Sequence, residues 1–235
     1  MENVYLALDQ GGHASRALVF AAGGTVVTTA SVPVATRRNE QGHIEHDPEE
    51  LVASLRQAVA TACGDLPAGS RVVAAGLATQ RSSMACWHRR TGAALSPVIS
   101  WQDRRNAAWL ERLAPQAARI RELTGLVLTP HYGASKMRWC LDNLPAVQAA
   151  QASGDLVMGP LASFLACRLL EGGPLLADPA NASRTQLWSL ATRGWSPELL
   201  SLFGIDRAVL PGTVTSRHDY GRLATPAGPV PLTVV

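Results

Sequence analysis

The sequence predicts an α/β fold: a mixed β-sheet flanked by helices. Three observations carry this reading. Three β-rich runs open the chain, a well-capped amphipathic helix follows, and a further β-rich run, Arg71 to Ala78, comes directly after the helix. Strands that precede and follow a helix imply layered α/β packing.

The first run, Val4-Tyr5-Leu6-Ala7-Leu8, leads into Asp9-Gln10-Gly11-Gly12-His13 and then into a second apolar run, Ala17 to Ala21. Gly23-Gly24 marks a turn before Thr25 to Val34, which is enriched in β-branched residues, so the first third reads as an antiparallel ribbon. The helix begins at Asp47, with Glu50 completing a capping-box pattern and Pro48 suited to the first helical position. Leu51, Leu55, Ala58, Val59 and Ala62 recur at helical spacing before Gly64 ends it. Beyond Trp101 the chain reads as mainly helical, with segments at 106–113, 118–123, 135–143 and 161–170. A loop, Thr225 to Pro229, leads to a last strand, Val230 to Val235.

With 235 residues and 47% hydrophobic content, the chain is long enough for a substantial core. The net charge is only +3, and the basic residues are scattered arginines with Lys136 the sole lysine, so neither a nucleic-acid-binding stripe nor a membrane-surface patch is expected. Cys63, Cys86, Cys140 and Cys167 form no Cys-x-x-Cys pair and sit among apolar residues, as reduced core thiols of a cytoplasmic protein do. No secretory signal or membrane span is visible. His43 and His46 lack a third ligand for a metal site.

The opening hairpin is the first candidate site. A carboxylate at the exit of an apolar strand is poorly solvated unless it meets a cation, and the two glycines either make a simple turn that Asp9 caps or a tight turn that aims N–H groups at an anion. Asp9 suits a water-mediated magnesium contact. Gly11, Gly12 and Arg16 suit phosphate, while His13 is either one more donor or an exposed turn residue. The turn runs into a second strand and lacks Gly-x-Gly-x-x-Gly, which excludes a dinucleotide-binding dehydrogenase domain. Arg81 leaves the run Val72 to Ala78 at its carboxyl end, where a guanidinium presents several donors to hydroxyl groups.

Seven segments in order resemble the FGGY carbohydrate kinases, most closely their glycerol kinase branch. They are Tyr5 to Gly11 with Ser15-Arg16-Ala17, Glu45-His46-Asp47-Pro48, Thr79-Gln80-Arg81, Trp101 to Arg105, Thr124-Gly125-Leu126, Lys136-Met137-Arg138-Trp139 and Asn181 to Thr185. The resemblance implies an N-terminal domain of the actin-like, ribonuclease-H-like fold over residues 1–235. It implies a kinase that uses ATP and Mg2+ to phosphorylate a small sugar or polyol, able to form homo-oligomers. A second domain, expected outside this chain, supplies the catalytic base and most of the nucleotide pocket; the last strand leads toward that base, so no catalytic residue is assigned here.

The resemblance also assigns Arg81, Ser82, Trp101, Asp103 and His131 to the substrate, with Trp101 against its carbon face. Asp103 either contacts substrate or caps the next helix. Glycerol kinases carry a glutamate at Ser82, a tyrosine at His131 and hydroxyl residues at Gly12 and His13, so the substrate need not be glycerol. Asn181, Ser183 and Arg184 read as loop-fixing residues. The competing reading is a non-catalytic sugar-binding or regulatory module of the same fold, supported by the Gly12-His13 replacement.

Overall fold

The computed structural model describes residues 2–235. In chain order its main elements are β1 (Glu2–Gln10), β2 (Ala14–Ala21), β3 (Val26–Pro33), β4 (Arg37–Arg38), β5 (Ile44–His46), α1 (Pro48–Gly64), β6 (Ser70–Thr79), β7 (Met84–His88) and β8 (Val98–Ile99). Then come α2 (Ala107–Leu110), α3 (Ala117–Thr124), α4 (Gly133–Asn143), α5 (Pro145–Ala152), β9 (Leu156–Pro160) and α6 (Leu161–Leu169). After β10 (Leu176–Ala177) and α7 (Pro179–Ala182) follow the short strands β11 (Trp188–Ser189) and β12 (Gly194–Trp195), α8 (Pro197–Phe203), β13 (Gly212–Thr213), β14 (Arg222–Leu223) and β15 (Val230–Val234).

The expected mixed sheet is six-stranded, in the order β14-β15-β6-β1-β2-β3. β1, β2 and β3 form the antiparallel ribbon, and β6 and β15 run parallel to β1. On one face, Val4, Leu6 and Leu8 alternate inward and meet the apolar stripe of α1, Leu51, Leu55, Ala58, Val59 and Ala62, together with Phe164 and Leu165 of α6. Each leucine-sized side chain taken out of water in this layer contributes roughly 1.5–3 kcal/mol.

Asp47 caps α1, its Oδ1 accepting from the N–H groups of Glu49 and Glu50 at 2.9 and 3.3 Å. The reciprocal half of the capping box is absent among the described residues. Glu50 instead accepts from the backbone N–H of Ala35 at 2.7 Å, pinning the preceding loop to the helix.

A second, five-stranded sheet, β4-β5-β8-β7-β9, was not expected; four of its strands precede Trp101, and beyond Trp101, where only β9 belongs to it, helices predominate as the sequence predicts. Its two longest strands, Met84–His88 and the edge strand Leu156–Pro160, are buried almost throughout, so they show no alternation for sequence periodicity to detect. A separate core of Met84, Ile99, Met137, Leu156 and Phe203 joins this sheet to α4 and α8. The helix expected at 106–113 breaks after α2 into a 3-10 segment, Glu111–Gln116, that contains Pro115. No helix among the described residues is long and apolar enough to cross a membrane. The four thiols are free and buried.

Candidate functional site

β1, β6 and β15 are parallel, so their carboxyl ends meet at one edge of the large sheet. Ligands of open α/β sheets bind at such an edge. The sequence-selected residues gather there because the hairpin after β1 and the loop after β6 are consecutive exits from neighbouring strands.

In the hairpin the Gly11 N–H donates to the Ala14 carbonyl at 2.9 Å. This corrects the expectation that Gly11 aims its N–H at phosphate: that donor closes the turn. Neither Gly11 nor Gly12 takes a positive φ. A Cβ at Gly11 would lie 3.2 Å from the Ala14 carbonyl oxygen, a tight contact that the turn would have to relax, whereas a Cβ at Gly12 meets nothing within 4 Å. The carbonyls of Gly12 and His13 are held by Thr36 Oγ1 at 2.6 Å and the Val34 N–H at 3.0 Å. Their N–H groups have no acceptor among the described residues, so this turn offers an anion the donors of Gly12 and His13.

Asp9 and Arg16 face each other across β1 and β2 and form an ion pair at 3.0 Å, each about half exposed. Arg16 thus neutralises Asp9 through one oxygen and leaves Oδ1 open. A lone half-exposed carboxylate fits a cation that keeps most of its waters, as magnesium does. No cluster of three or more His, Cys, Asp or Glu side chains suited to a directly coordinated metal exists among the described residues, His43 and His46 included. His46 is buried, with Nδ1 at 2.9 Å from the Ala35 carbonyl.

A buried polar relay joins the hairpin to the loop after β6. The Gln10 side-chain amide donates to the Gly11 carbonyl at 2.7 Å, and Gln80 Nε2 donates to the same carbonyl and to Gln10 Oε1 at 3.1 and 3.2 Å. Ser83 Oγ donates to Gln80 Oε1 at 3.2 Å and accepts the backbone N–H of Trp101 at 3.0 Å. Between them Arg81 is exposed and Ser82 is buried at a φ of 69°. That left-handed conformation is uncommon outside glycine and asparagine. The Ser82 hydroxyl has no partner among the described residues.

Trp101 is 39% exposed. Its indole meets the His131 ring edge-on, 5.6 Å between centroids, and His131 in turn meets Tyr132 at 4.8 Å. Burial, then the charges of Lys136 and Arg184, lowers the His131 pKa below its ordinary 6.5, so the ring is neutral at pH 7.

Asp103 is corrected on both counts. It is fully buried and caps no helix; α2 follows Asn106, which makes no side-chain cap. Its carboxylate takes four hydrogen bonds, from the N–H groups of Ile44 and Arg105 and from Nε and Nη2 of the Arg105 guanidinium. Arg105, also bound to Glu45 at 2.7 Å, stacks 4.5 Å over the Trp139 ring. No oxygen of Asp103 remains for a substrate.

Two residues at the site escaped the sequence reading. Asn181 and Ser183 do fix their turn, through Asp178 Oδ1 at 2.8 Å and the Ala180 carbonyl at 3.2 Å. Arg184, read as loop-fixing with them, instead lies 5.9 Å over the Tyr132 ring. Lys136 is buried, with Nζ donating to the carbonyls of Pro130, His131 and Tyr132 at 2.9, 2.5 and 3.3 Å. It therefore fixes the backbone that carries His131. The signal was its uniqueness: among 21 basic residues the one lysine stands where carbonyls converge on a point, which suits a compact ammonium and not a planar guanidinium.

Comparison with known proteins follows this geometry. Residues 4–229 match the model of the "FGGY family of carbohydrate kinases, N-terminal domain". The glycerol kinase of Citrifermentans bemidjiense is 40% identical over 222 residues, covering 92% of this chain and 44% of the relative. That of Rhodospirillum centenum is 38% identical over 223 residues, again 92% and 44%. The chain thus spans about half the length of the curated relatives it matches. A crystal structure of Plasmodium falciparum glycerol kinase with ADP superposes with a TM-score of 0.92 at 23% identity, covering 100% of this chain and 48% of that one. At that identity the likeness establishes the fold, which is the actin-like ATPase fold. Family model, relatives and architecture agree, and the chain belongs to the FGGY family of carbohydrate kinases.

Proposed function

We propose that this chain is the substrate-side half of an ATP-dependent kinase that transfers the γ-phosphate of ATP to a hydroxyl of a sugar or polyol. One observation carries the reading: the anion-ready turn at Gly12-His13 and the polar-plus-aromatic group of Arg81, Ser82, Trp101 and His131 share one sheet edge, tied by the Gln10–Gln80–Ser83 relay.

Phosphoryl transfer asks a protein mainly for alignment and charge neutralisation. Arg81 and the neutral His131 bind hydroxyl groups, Trp101 covers the carbon face, and the Gly12 and His13 N–H groups receive the phosphate at the other end of the relay. Magnesium held through water on Asp9 would neutralise phosphate charge when MgATP is bound. Arg16 sets the position of the Asp9 carboxylate. The catalytic base and most of the adenine contacts are assigned to a second domain outside these residues. A cytoplasmic enzyme fits the four free buried thiols.

The test is turnover by the complete gene product with MgATP across polyols, ketoses and sugar acids. Asp9→Ala should abolish turnover there while sparing sugar binding. Absence of MgATP-dependent turnover with every acceptor, sugar binding being retained, would instead establish the non-catalytic module. The specific observation on that side is that the turn presents no side-chain hydroxyl at Gly12 or His13.

A further inference from the structure

We propose that Lys136 is a positioning residue for the acceptor: its ammonium gathers the carbonyls of three successive residues, sets His131 against Trp101, and so couples acceptor binding to the charge on Lys136. The inference rests on the kinase reading above and gives a part to a residue outside its set of contacts.

Lys136 lies in the first turn of α4 and is 1% exposed. Its Nζ donates to the carbonyls of Pro130, His131 and Tyr132 at 2.9, 2.5 and 3.3 Å. Carbonyls of three consecutive residues aimed at one spot repel one another unless a positive charge stands at the focus. An ammonium has three donors and no acceptor, one donor for each carbonyl. A neutral amine has two donors and a lone pair, so loss of the proton removes one bond and sets the lone pair against a carbonyl oxygen. The loop has little else to fix it: the His131 N–H makes a long bond to Thr129 Oγ1, 3.5 Å, and Tyr132, the N-cap residue of α4, makes no side-chain cap.

The backbone held in this way carries contacts to two neighbouring segments. His131 meets Trp101 edge-on at 5.6 Å between centroids, and the Tyr132 ring lies 5.9 Å from the Arg184 guanidinium. Gly133 packs so closely on the 183–185 turn that a Cβ there would stand 3.3 Å from Thr185 Cα. With the loop's far side fixed against that turn, release of a carbonyl moves the imidazole relative to the exposed indole.

The groups around this ammonium leave it free to titrate. Burial draws Lys136 down to about 7; Asp103 and Arg105, from the loop after β8, act on it in opposite senses, and Asp103 is already committed to Arg105. Burial, with Lys136 and Arg184, keeps the neighbouring His131 neutral, and Tyr132 packs on that ring. On α4 itself Arg138 and Asp142 bind each other, while a hydrogen bond with Cys86 of β7, and burial, push the Cys140 thiol well up, so it adds no charge. Strongly displaced titrations cluster at functional sites. The proton does not serve the fold, whose stability rises as it leaves; what it holds is the position of three carbonyls.

Glycerol, D-xylulose and D-gluconate do not titrate between about pH 7 and 9, so their binding to the complete gene product isolates the protein's own proton. Titration calorimetry finds the tightest of the three and follows it across that range in buffers of different ionisation enthalpy. The wild type should take up nearly one proton per acceptor bound at about pH 8, and its affinity should fall roughly tenfold per pH unit above 7, in the range where the stability of the fold rises. Lys136→Met should bind weakly at every pH, without proton uptake. Lys136→Arg, whose charge does not titrate, should recover part of the affinity, again without uptake, and serves alone if Lys136→Met fails to fold. Absence of uptake in the wild type, uptake that persists in either variant, or wild-type affinity at pH 7 in Lys136→Met overturns the inference and leaves the kinase reading standing. Binding of none of the three acceptors overturns both.

Discussion

Asp103 stands in a motif that resembles a substrate-binding segment, yet its surroundings make it a structural group, and the cost of removing it follows from them. In Asp103→Ala the Arg105 guanidinium, whose side chain is fully buried, loses its main counter-charge and keeps only Glu45, while the Ile44 N–H loses its acceptor. One Arg105 nitrogen, Nη1, already lacks a partner. Breaking a buried ion pair by deleting one member costs about 3–5 kcal/mol, because the remaining charge is left uncompensated. With a urea slope of about 2–3 kcal/mol per molar, the unfolding midpoint should fall by roughly 1–2.5 M. Replacing both members, Asp103→Leu with Arg105→Met, should recover part of that loss, since no orphaned charge remains. The pH dependence has a definite sign. Burial acts to raise the Asp103 pKa, but hydrogen bonds from the Arg105 side chain and backbone and from Ile44, with the Arg105 charge, prevail and hold it below its ordinary value of 3.8. The unfolded chain therefore binds the proton first, so this stabilisation is complete above about pH 4 and is lost as the pH falls through the lower folded value. Urea unfolding monitored by circular dichroism, at pH 7 and through the acid range, measures both effects. A loss under about 1 kcal/mol at pH 7 with sugar binding abolished would refute the structural assignment and return Asp103 to the substrate.

Two further outcomes follow from neighbouring groups. Burial draws the Lys136 ammonium down to about 7 from its ordinary 10.5, so between those values the unfolded chain binds the extra proton and wild-type stability rises with pH. Relative to Lys136→Met, which lacks this titration, the gain should reach about 5 kcal/mol across that window in urea unfolding, and parallel pH curves would contradict it. At the hairpin, Gly12→Thr meets no steric obstacle and should leave stability within about 0.5 kcal/mol. The added hydroxyl should tighten MgATP binding to the complete gene product severalfold, read by calorimetry; unchanged or weaker binding would remove Gly12 from the phosphate site.

Much of the large sheet and its helix was legible because their signals are local. Alternation in Val4 to Leu8, turn glycines at Gly23-Gly24, and the Asp47 cap with its apolar stripe each act within a few residues. The second sheet was not legible, since strands buried on both faces lose the alternation that identifies a strand and Val98–Ile99 is too short to show any. Site residues divide the same way. Asp9, Arg81 and Trp101 were visible as polar or aromatic groups at strand ends or in family motifs. Arg184 and Lys136 matter through partners about 50 and 5 residues away respectively, and in both cases the partner is a loop whose course no local pattern sets. Asp103 was misread because a carboxylate that finds Arg105 and one that finds a hydroxylated ligand look alike in sequence.

Whether a polar group's hydrogen-bonding capacity is filled from within separates scaffold from site at this edge, without reference to any relative. Asp103 has its oxygens occupied, Asn181 gives its amide to Asp178, and Gln10 and Gln80 spend theirs on each other and on Gly11. Such groups hold loops in register, and a buried network of this kind is stabilising only when it is satisfied. Asp9 Oδ1, the Gly12 and His13 N–H groups and the Ser82 hydroxyl are left open among the described residues, and Arg81 and Arg184 lack counter-ions. The open set has anion donors and a half-neutralised carboxylate at one end, and guanidinium groups and an exposed indole at the other. Donors for an anion at one end and a cationic, aromatic seat for a hydroxylated carbon chain at the other are what alignment of a phosphate with a sugar acceptor requires. The closed set, running from Gly11 through Gln80 and Ser83 to Trp101, fixes the separation between those two ends.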